Sequence, residues 1–328
     1  MALATATVFI TLGFGVYNIS LTDSWKVLFD HITGNITNED ADWYIYGVRL
    51  PRALGGLVVG AGLGVAGAIM QNDFKNPLAE PYTMGISSGA FLGAVFSIIL
   101  GISIIPFIPN EFATITNAFV MGLIPTIIIV TVTKFKKLTP TAMILTGIAI
   151  MFLFSAICQY IMVSAPSESM ADAYAWRVGT LAKIGWGALN IMIIPTFVII
   201  VILWLLSDRL NIMYAGDRSA KTMGENAPRL RIVTLILVSL MTATIVSYSG
   251  TIGFIGLVGP HIARIFVGSN NRYLIPASAA FGASFILIAD SIAKITGANG
   301  VPVGVISSMI GGPLFIWILI KQRKKVWA

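Results

Sequence analysis

Chemistry in this chain would have to come from very few groups. Arg49 and Arg52 flank the pair Leu50-Pro51, and Asp290 stands four residues before Lys294. These groups sit at the edge of apolar runs or inside them, where an ionisable side chain is a functional candidate by default. An acid and a base at i and i+4 share one helix face. Asp290 and Lys294 therefore read either as a structural ion pair or as one step of a proton relay. A relay needs further ionisable groups, and the other apolar runs hold none deep inside them. His31 and His261 are the two histidines, placed toward opposite faces, and Cys158 is the one cysteine. That excludes an internal disulfide and a paired-histidine metal site, and leaves Cys158 as a small buried apolar side chain. The chain has no GxxxxGK[ST] phosphate loop, so it lacks that device for ATP hydrolysis. No Ser-His-Asp set assembles, and no catalytic residue or metal ligand is assigned.

The elements that position these groups follow from composition. The chain has 328 residues, 56% hydrophobic and 11% charged, with mean hydropathy +0.87. Soluble domains carry about 25% charged residues. An all-α polytopic membrane protein is expected, one domain over residues 1–328, with membrane lipid around it. Ala53–Met70 alone runs 18 residues without a charge, near the length that crosses a hydrocarbon core. Apolar segments fall near 2–20, 50–70, 83–105, 113–133, 141–163, 188–206, 231–249, 257–268, 274–296 and 303–320, ten in all, the eighth too short to cross alone. The chain opens on the apolar run Met1–Tyr17 without a basic n-region, which predicts a first span and not a cleaved signal.

Alternating the loops places 15 of the 21 lysines and arginines on one side, from Lys75 through Lys134, Lys136 and Lys137 to Lys321, Arg323, Lys324 and Lys325. Lys26, Arg49, Arg52, Arg177, Lys183 and Lys294 fall on the other side, with nine of the 14 acids. The positive-inside rule makes the basic side cytoplasmic, with both termini on it. A net charge of +7 then reflects basic cytoplasmic loops and not a nucleic-acid partner. The acidic stretch 21–47 reads as a solvated external loop, and Trp176 and Trp186 as members of an interfacial belt.

Three patterns stand out within this frame. Gly56, Gly60 and Gly64 recur every fourth residue in the second apolar segment, a spacing that lets another backbone approach closely. Gly250, Gly253, Gly256 and Gly259, followed by Pro260, predict a broken helix over about 250–260, tolerated at membrane depth only where protein or a wet cavity surrounds it. Such interruptions mark the moving core of many transporters. His261 follows and reads as lying near the cytoplasmic surface. The most polar cytoplasmic loop, about 207–230, places Gly216, Ala220 and Gly224 at i, i+4 and i+8, with Asp217, Arg218 and Lys221 off that stripe. On spacing alone, a docking helix and an ordinary surface helix are equally good readings. Arg49 and Arg52 read as snorkelling anchors or as docking groups on the outer face.

The segments Arg49-Leu-Pro-Arg52, Gln71, Asn76-Pro-Leu-Ala-Glu-Pro81, Gly85-Ile-Ser-Ser-Gly89, Gly250–His261 and Leu314-Phe-Ile-Trp317 occur in an order that resembles the FecCD family, the permease subunits of ABC importers for iron-siderophores, haem and cobalamin. The resemblance implies a type II importer permease of about ten helices, paired with a second permease subunit, identical or not. It implies a cytosolic ABC ATPase dimer that consumes the ATP, and an external substrate-binding protein. No cofactor is expected on the permease itself. Leu210–Gly224 resembles the family's coupling helices, which turns the balance toward docking there. Arg49 matches a position that pairs with glutamates of the binding protein. Lys294 matches a second such position, where relatives often have arginine; lysine keeps the charge and loses the bidentate fork. An iron-siderophore is the first substrate expected, with haem or cobalamin next, at a plasma or inner membrane. Relatives carry a charged tail before the first span, so a trimmed start is expected. The rival reading is a secondary transporter driven by an ion gradient.

Overall fold

Helices account for every regular element among the described residues, 2–15, 19–136, 138–297 and 300–322 of the computed structural model. Lys137, Arg323, Lys324 and Lys325, four cations of the charge count, lie outside them. The order is α1 Ala2–Thr11, α2 Leu21–Thr33, α3 Glu39–Asp42, a π-helical stretch Trp43–Arg49, α4 Leu50–Phe74, a 3-10 turn Pro81–Met84, α5 Ile86–Ile98, α6 Asn110–Lys136, α7 Pro140–Val163, α8 Ser167–Val178, α9 Trp186–Leu205, α10 Ser207–Tyr214, α11 Asp217–Thr222, α12 Ala227–Ser249, α13 Ile255–Val267, α14 Asn271–Ile295 and α15 Val303–Gln322. Seven helical runs are long and apolar enough to cross a bilayer: 39–74, α6, α7, α9, α12, α14 and α15. The shorter apolar helices α5 and α13 add to these seven.

Three details depart from the sequence expectation. The first helix ends at Thr11, short of residue 20. The stretch 21–47 is folded, not loose. Ser20 caps α2 by accepting from the Asp23 amide, Asn38 caps α3, and α3 runs without a break through the π-helical stretch into α4. His31 donates to Asp42 at 2.8 Å and stacks on Tyr46. The third departure concerns the glycines after α12. Only 250–254 are non-helical, whereas Gly256, Gly259 and Pro260 lie inside α13.

Helix ends follow local chemistry. Pro51, Pro140 and Pro228 occupy first-turn positions, where a missing N–H costs nothing. Thr139, Asn226 and Asn270 accept amides at the starts of α7, α12 and α14. Lys75 ends α4 in the left-handed conformation at φ 48°.

Helix α4 is the buried axis of the bundle, whereas α6, α7 and α9 expose apolar faces. Its small residues make that burial possible. α14 runs antiparallel beside it. A Cβ on Gly60 would overlap the Gly282 carbonyl, and one on Gly64 would overlap the Ser278 carbonyl. Gly67 meets the Gly256 backbone of α13 just as closely. Close approach of this kind drives helix association where water gives no hydrophobic force. The sequence reading of the glycine stripe as a packing device therefore holds.

Candidate functional site

The basic end of α4 is tied to the polar loop by a set of hydrogen bonds. Arg231, in the first turns of α12, is buried. Its Nε donates to the Asp73 carbonyl at 2.7 Å, and its Nη2 donates to Asp217 Oδ1 on α11 at 2.9 Å. Thr234, one turn on, donates to Asp73 Oδ2 at 2.6 Å. A single guanidinium thus satisfies an orphan carbonyl at the end of one helix and holds the first residue of another. Beside it, Asn72 Nδ2 donates to the Leu210 carbonyl of α10, and Asn271 Nδ2 donates to both Asn72 Oδ1 and Asn211 Oδ1. Directional bonds therefore tie α10 and α11 to α4, α12 and α14.

Within this loop the sequence-derived stripe dissolves. Gly216 and Gly224 bracket α11 at φ 121° and 81°, conformations that favour glycine, and do not lie along one helix. Ala220 alone of the three is inside α11, fully buried. Arg218 and Lys221 are exposed, and Asp217 is held by Arg231. The loop is two short helices hinged at Ala215–Gly216, presenting cations outward from an anchored base.

The α13 glycine-proline pattern has its own logic. Pro260 lacks an N–H, so it cannot donate to the carbonyl of Gly256 four residues earlier. Gln71 of α4 fills that role, its Nε2 donating to the Gly256 carbonyl at 3.1 Å, while its Oε1 accepts from Arg264. The helix survives its proline because a neighbouring side chain replaces the lost donor. The real break, 250–254, is pinned on the far side. The Thr180 amide donates to the Ser249 carbonyl at 2.7 Å, the Thr251 hydroxyl to the Arg177 carbonyl at 2.5 Å, and the Ile252 amide to the Tyr82 hydroxyl at 3.2 Å. His261 is not at the cytoplasmic surface. It is fully buried in α13, its Nδ1–H donating to Leu257 and its ring edge meeting Phe315.

At the other end of α4 the cations are recessed, which corrects the picture of exposed docking groups. Arg49 and Lys294 are buried and Arg52 is 18% exposed at its side chain. Arg52 Nη2 donates to Asp290 Oδ1 at 2.7 Å, and Lys294 Nζ to Asp290 Oδ2 at 3.0 Å. Arg49 donates to the Leu12 carbonyl at 2.8 Å and lies over the Tyr44 ring. The i,i+4 pair is present, with Arg52 as an additional partner. The three cations line a cavity of about 250 Å³ together with Phe14, Tyr44 and Pro302, and no acidic residue is in that lining.

The FecCD transport family matches residues 3–321. This chain belongs to that family. As a FecCD permease it is 36% identical over 297 residues to the hemin transport system permease protein HmuU of Yersinia pestis, covering 89% of this chain and 87% of that protein. It is 32% identical over 322 residues to the vitamin B12 import system permease protein BtuC of Serratia proteamaculans, covering 96% and 92%. A solved structure described as an inward-facing conformation of a metal-chelate type ABC transporter superposes with TM-score 0.85 at 30% identity, covering 98% of this chain and 97% of that one. The all-α, multi-pass architecture of the permease matches the expectation, and the family is one of transport and not of catalysis.

Arg231, Asp73 and Gln71 carry the connections that residue patterns left unassigned. Arg231 entered only as one cation in a count. Gln71 had a readable signal, an amide at the end of an apolar run facing a helix that contains a proline. Asp73 and Arg231 lie 158 residues apart, and no local spacing links them.

Proposed function

We propose that this permease is the membrane-spanning subunit of an ATP-driven importer for an iron chelate, an iron-siderophore foremost, with haem or cobalamin as other members of the class. The observation that carries the reading is the anchored pair α10–α11, an exposed basic element bonded directly to the end of the buried axis α4. A cytosolic ABC ATPase dimer seated on Arg218 and Lys221 would supply the ATP chemistry, with both chain termini on that side. Gly250 and Gly253 in the break, and Gly256, Gly259 and Pro260 in α13, form the segment that rearranges as access alternates. The exposed apolar faces of α7, with Phe152 and Tyr160, and of α15, with Ile316 and Trp317, suit lipid or a second permease subunit. An external binding protein would place a carboxylate at the mouth of the Arg49, Arg52 and Lys294 cavity, where positive charge is in excess. The partners, this sidedness and the substrate range rest on membership in the family and on the charge distribution.

An ion-gradient carrier would need an ionisable group free to exchange protons, and Asp290 is already paired with two cations. Uptake of radioactive iron chelates into proteoliposomes containing the permease with its co-purified ATPase and binding protein tests the reading. Uptake that requires ATP supports it. Uptake that proceeds without nucleotide and follows a proton gradient overturns it.

A further inference from the structure

A second cavity, of about 680 Å³, opens where α5, α7, α8, α15 and the break 250–254 converge. Ser87, Ser155 and Ser308, from three different helices, line it together with Thr251 of the break. Arg177 is the one charged residue in that lining. Its position is fixed. It is the penultimate residue of α8, its carbonyl accepts from Thr251, and its guanidinium stands over the Phe91 ring at 5.2 Å. Gly179, two residues on, sits at φ 77° where a Cβ would overlap the Thr251 carbonyl, so this corner cannot drift without moving the break.

Some cations near the spans have counter-ions: Arg52 and Lys294 share Asp290, Arg231 holds Asp217, and Arg209 holds Glu225. Arg177 makes no ion pair among the described residues. Arg177 is exposed to this otherwise neutral, hydroxyl-rich space, so its guanidinium is open to an anionic solute. A guanidinium is also the group suited to bidentate recognition of carboxylates.

We propose that this cavity is the cargo passage and that Arg177 selects its charge, so that the substrate is an oxygen-rich metal chelate carrying net negative charge. This rests on the importer reading and narrows it. The hydroxyls accept and donate to an oxygen-rich surface without fixing one ligand, Arg177 supplies the attraction, and a cationic chelate meets like charge. The cation–π contact with Phe91 holds the guanidinium in place while leaving its N–H edge free to bond.

The test is initial uptake into proteoliposomes holding the complete importer, with four iron probes: hemin and ferric citrate as anions, ferrichrome as a neutral chelate and ferrioxamine B as a cation. The wild type should carry an anionic probe faster than the neutral or cationic ones. Arg177→Gln should lower that rate about tenfold or more, the factor lost with one charge-assisted hydrogen bond. Arg177→Lys should recover a substantial part of it. Melting temperature and co-purification with the ATPase report folding separately. Preference for the neutral or cationic probe overturns the charge assignment while the importer reading stands. So does an unchanged rate in Arg177→Gln, or a loss that only tracks a fall in melting temperature. Absence of ATP-dependent uptake of every probe overturns the importer reading, and this proposal with it.

Discussion

The two ends of α4 handle charge in opposite ways. At the far end, Arg52 and Lys294 share the carboxylate of Asp290, Arg49 is buried near them, and all three line a cavity. At the basic end, Arg231 is buried and committed to named acceptors, while its partner Asp217 belongs to an exposed helix. One end keeps surplus charge facing a space, which suits receiving a partner. The other commits its buried guanidinium to the two helices it bridges, with Arg218 and Lys221 exposed beside it, which suits passing movement on. The glycines between them pack α4 backbone to backbone on α13 and α14, so a displacement at one end is not absorbed by soft side chains.

The comparison breaks first at Asp290. Asp290→Ala removes the buried carboxylate that Arg52 and Lys294 share. Breaking a buried pair by deleting one partner costs about 3–5 kcal/mol, because the remaining charge stays buried. The largest fall in melting temperature among these variants is expected here, with retained co-purification of the ATPase if the two ends act separately. A melting temperature near wild type would show that solvent reaches the cluster and that it is not a closed one.

Arg231 tests the other end. Arg231→Ala leaves the Asp73 carbonyl without this donor and frees Asp217, a loss of about 1–3 kcal/mol for a buried group left unsatisfied. The more telling readout is coupling. Nucleotide hydrolysed per substrate imported should rise, since α11 would move without pulling α4. Arg231→Lys keeps the charge, yet one ammonium does not reproduce the fork that spans Asp73 and Asp217, so it should fall between wild type and Arg231→Ala. An unchanged ratio in both variants would reduce the linkage to a purely structural tie.

How much of this was legible beforehand depends on distance along the chain. The ten apolar segments, the glycine packing face and the Asp290–Lys294 pair are local patterns, with periods of three or four residues, and they were readable. The stripe in the 207–230 loop was misread because glycine spacing is ambiguous. Gly216 and Gly224 are there for positive φ at the ends of α11, not to make a face. The extent of the break was overestimated for a related reason. Propensity argues against a helix at Gly256–Pro260, and Gln71, 185 residues away, restores the missing bond. The burial of Arg49 was hidden because its partner, the Leu12 carbonyl, is a backbone group that carries no sequence signal.

The smallest effect belongs to Arg209 and Glu225, the second ion pair at the basic end. Arg209 forks onto both oxygens of Glu225, with Nε at 2.7 Å and Nη2 at 2.9 Å, and its side chain is 54% exposed. The fork holds the Glu225 carboxyl below its usual range, Arg209 being the main cause. A depressed carboxylate contributes stability above its unfolded pKa and loses it as pH falls through the folded value, so any contribution should fade on the acid side. Exposed pairs are worth about 0.2–1 kcal/mol and are screened by salt. Arg209→Ala should therefore shift the melting temperature slightly at low salt and not at high salt, with the coupling ratio unchanged. A rise in that ratio comparable to Arg231→Ala would mean that force enters through α10 as well as α11, and the asymmetry drawn between a committed Arg231 and its exposed neighbours would have to give way to a shared contact.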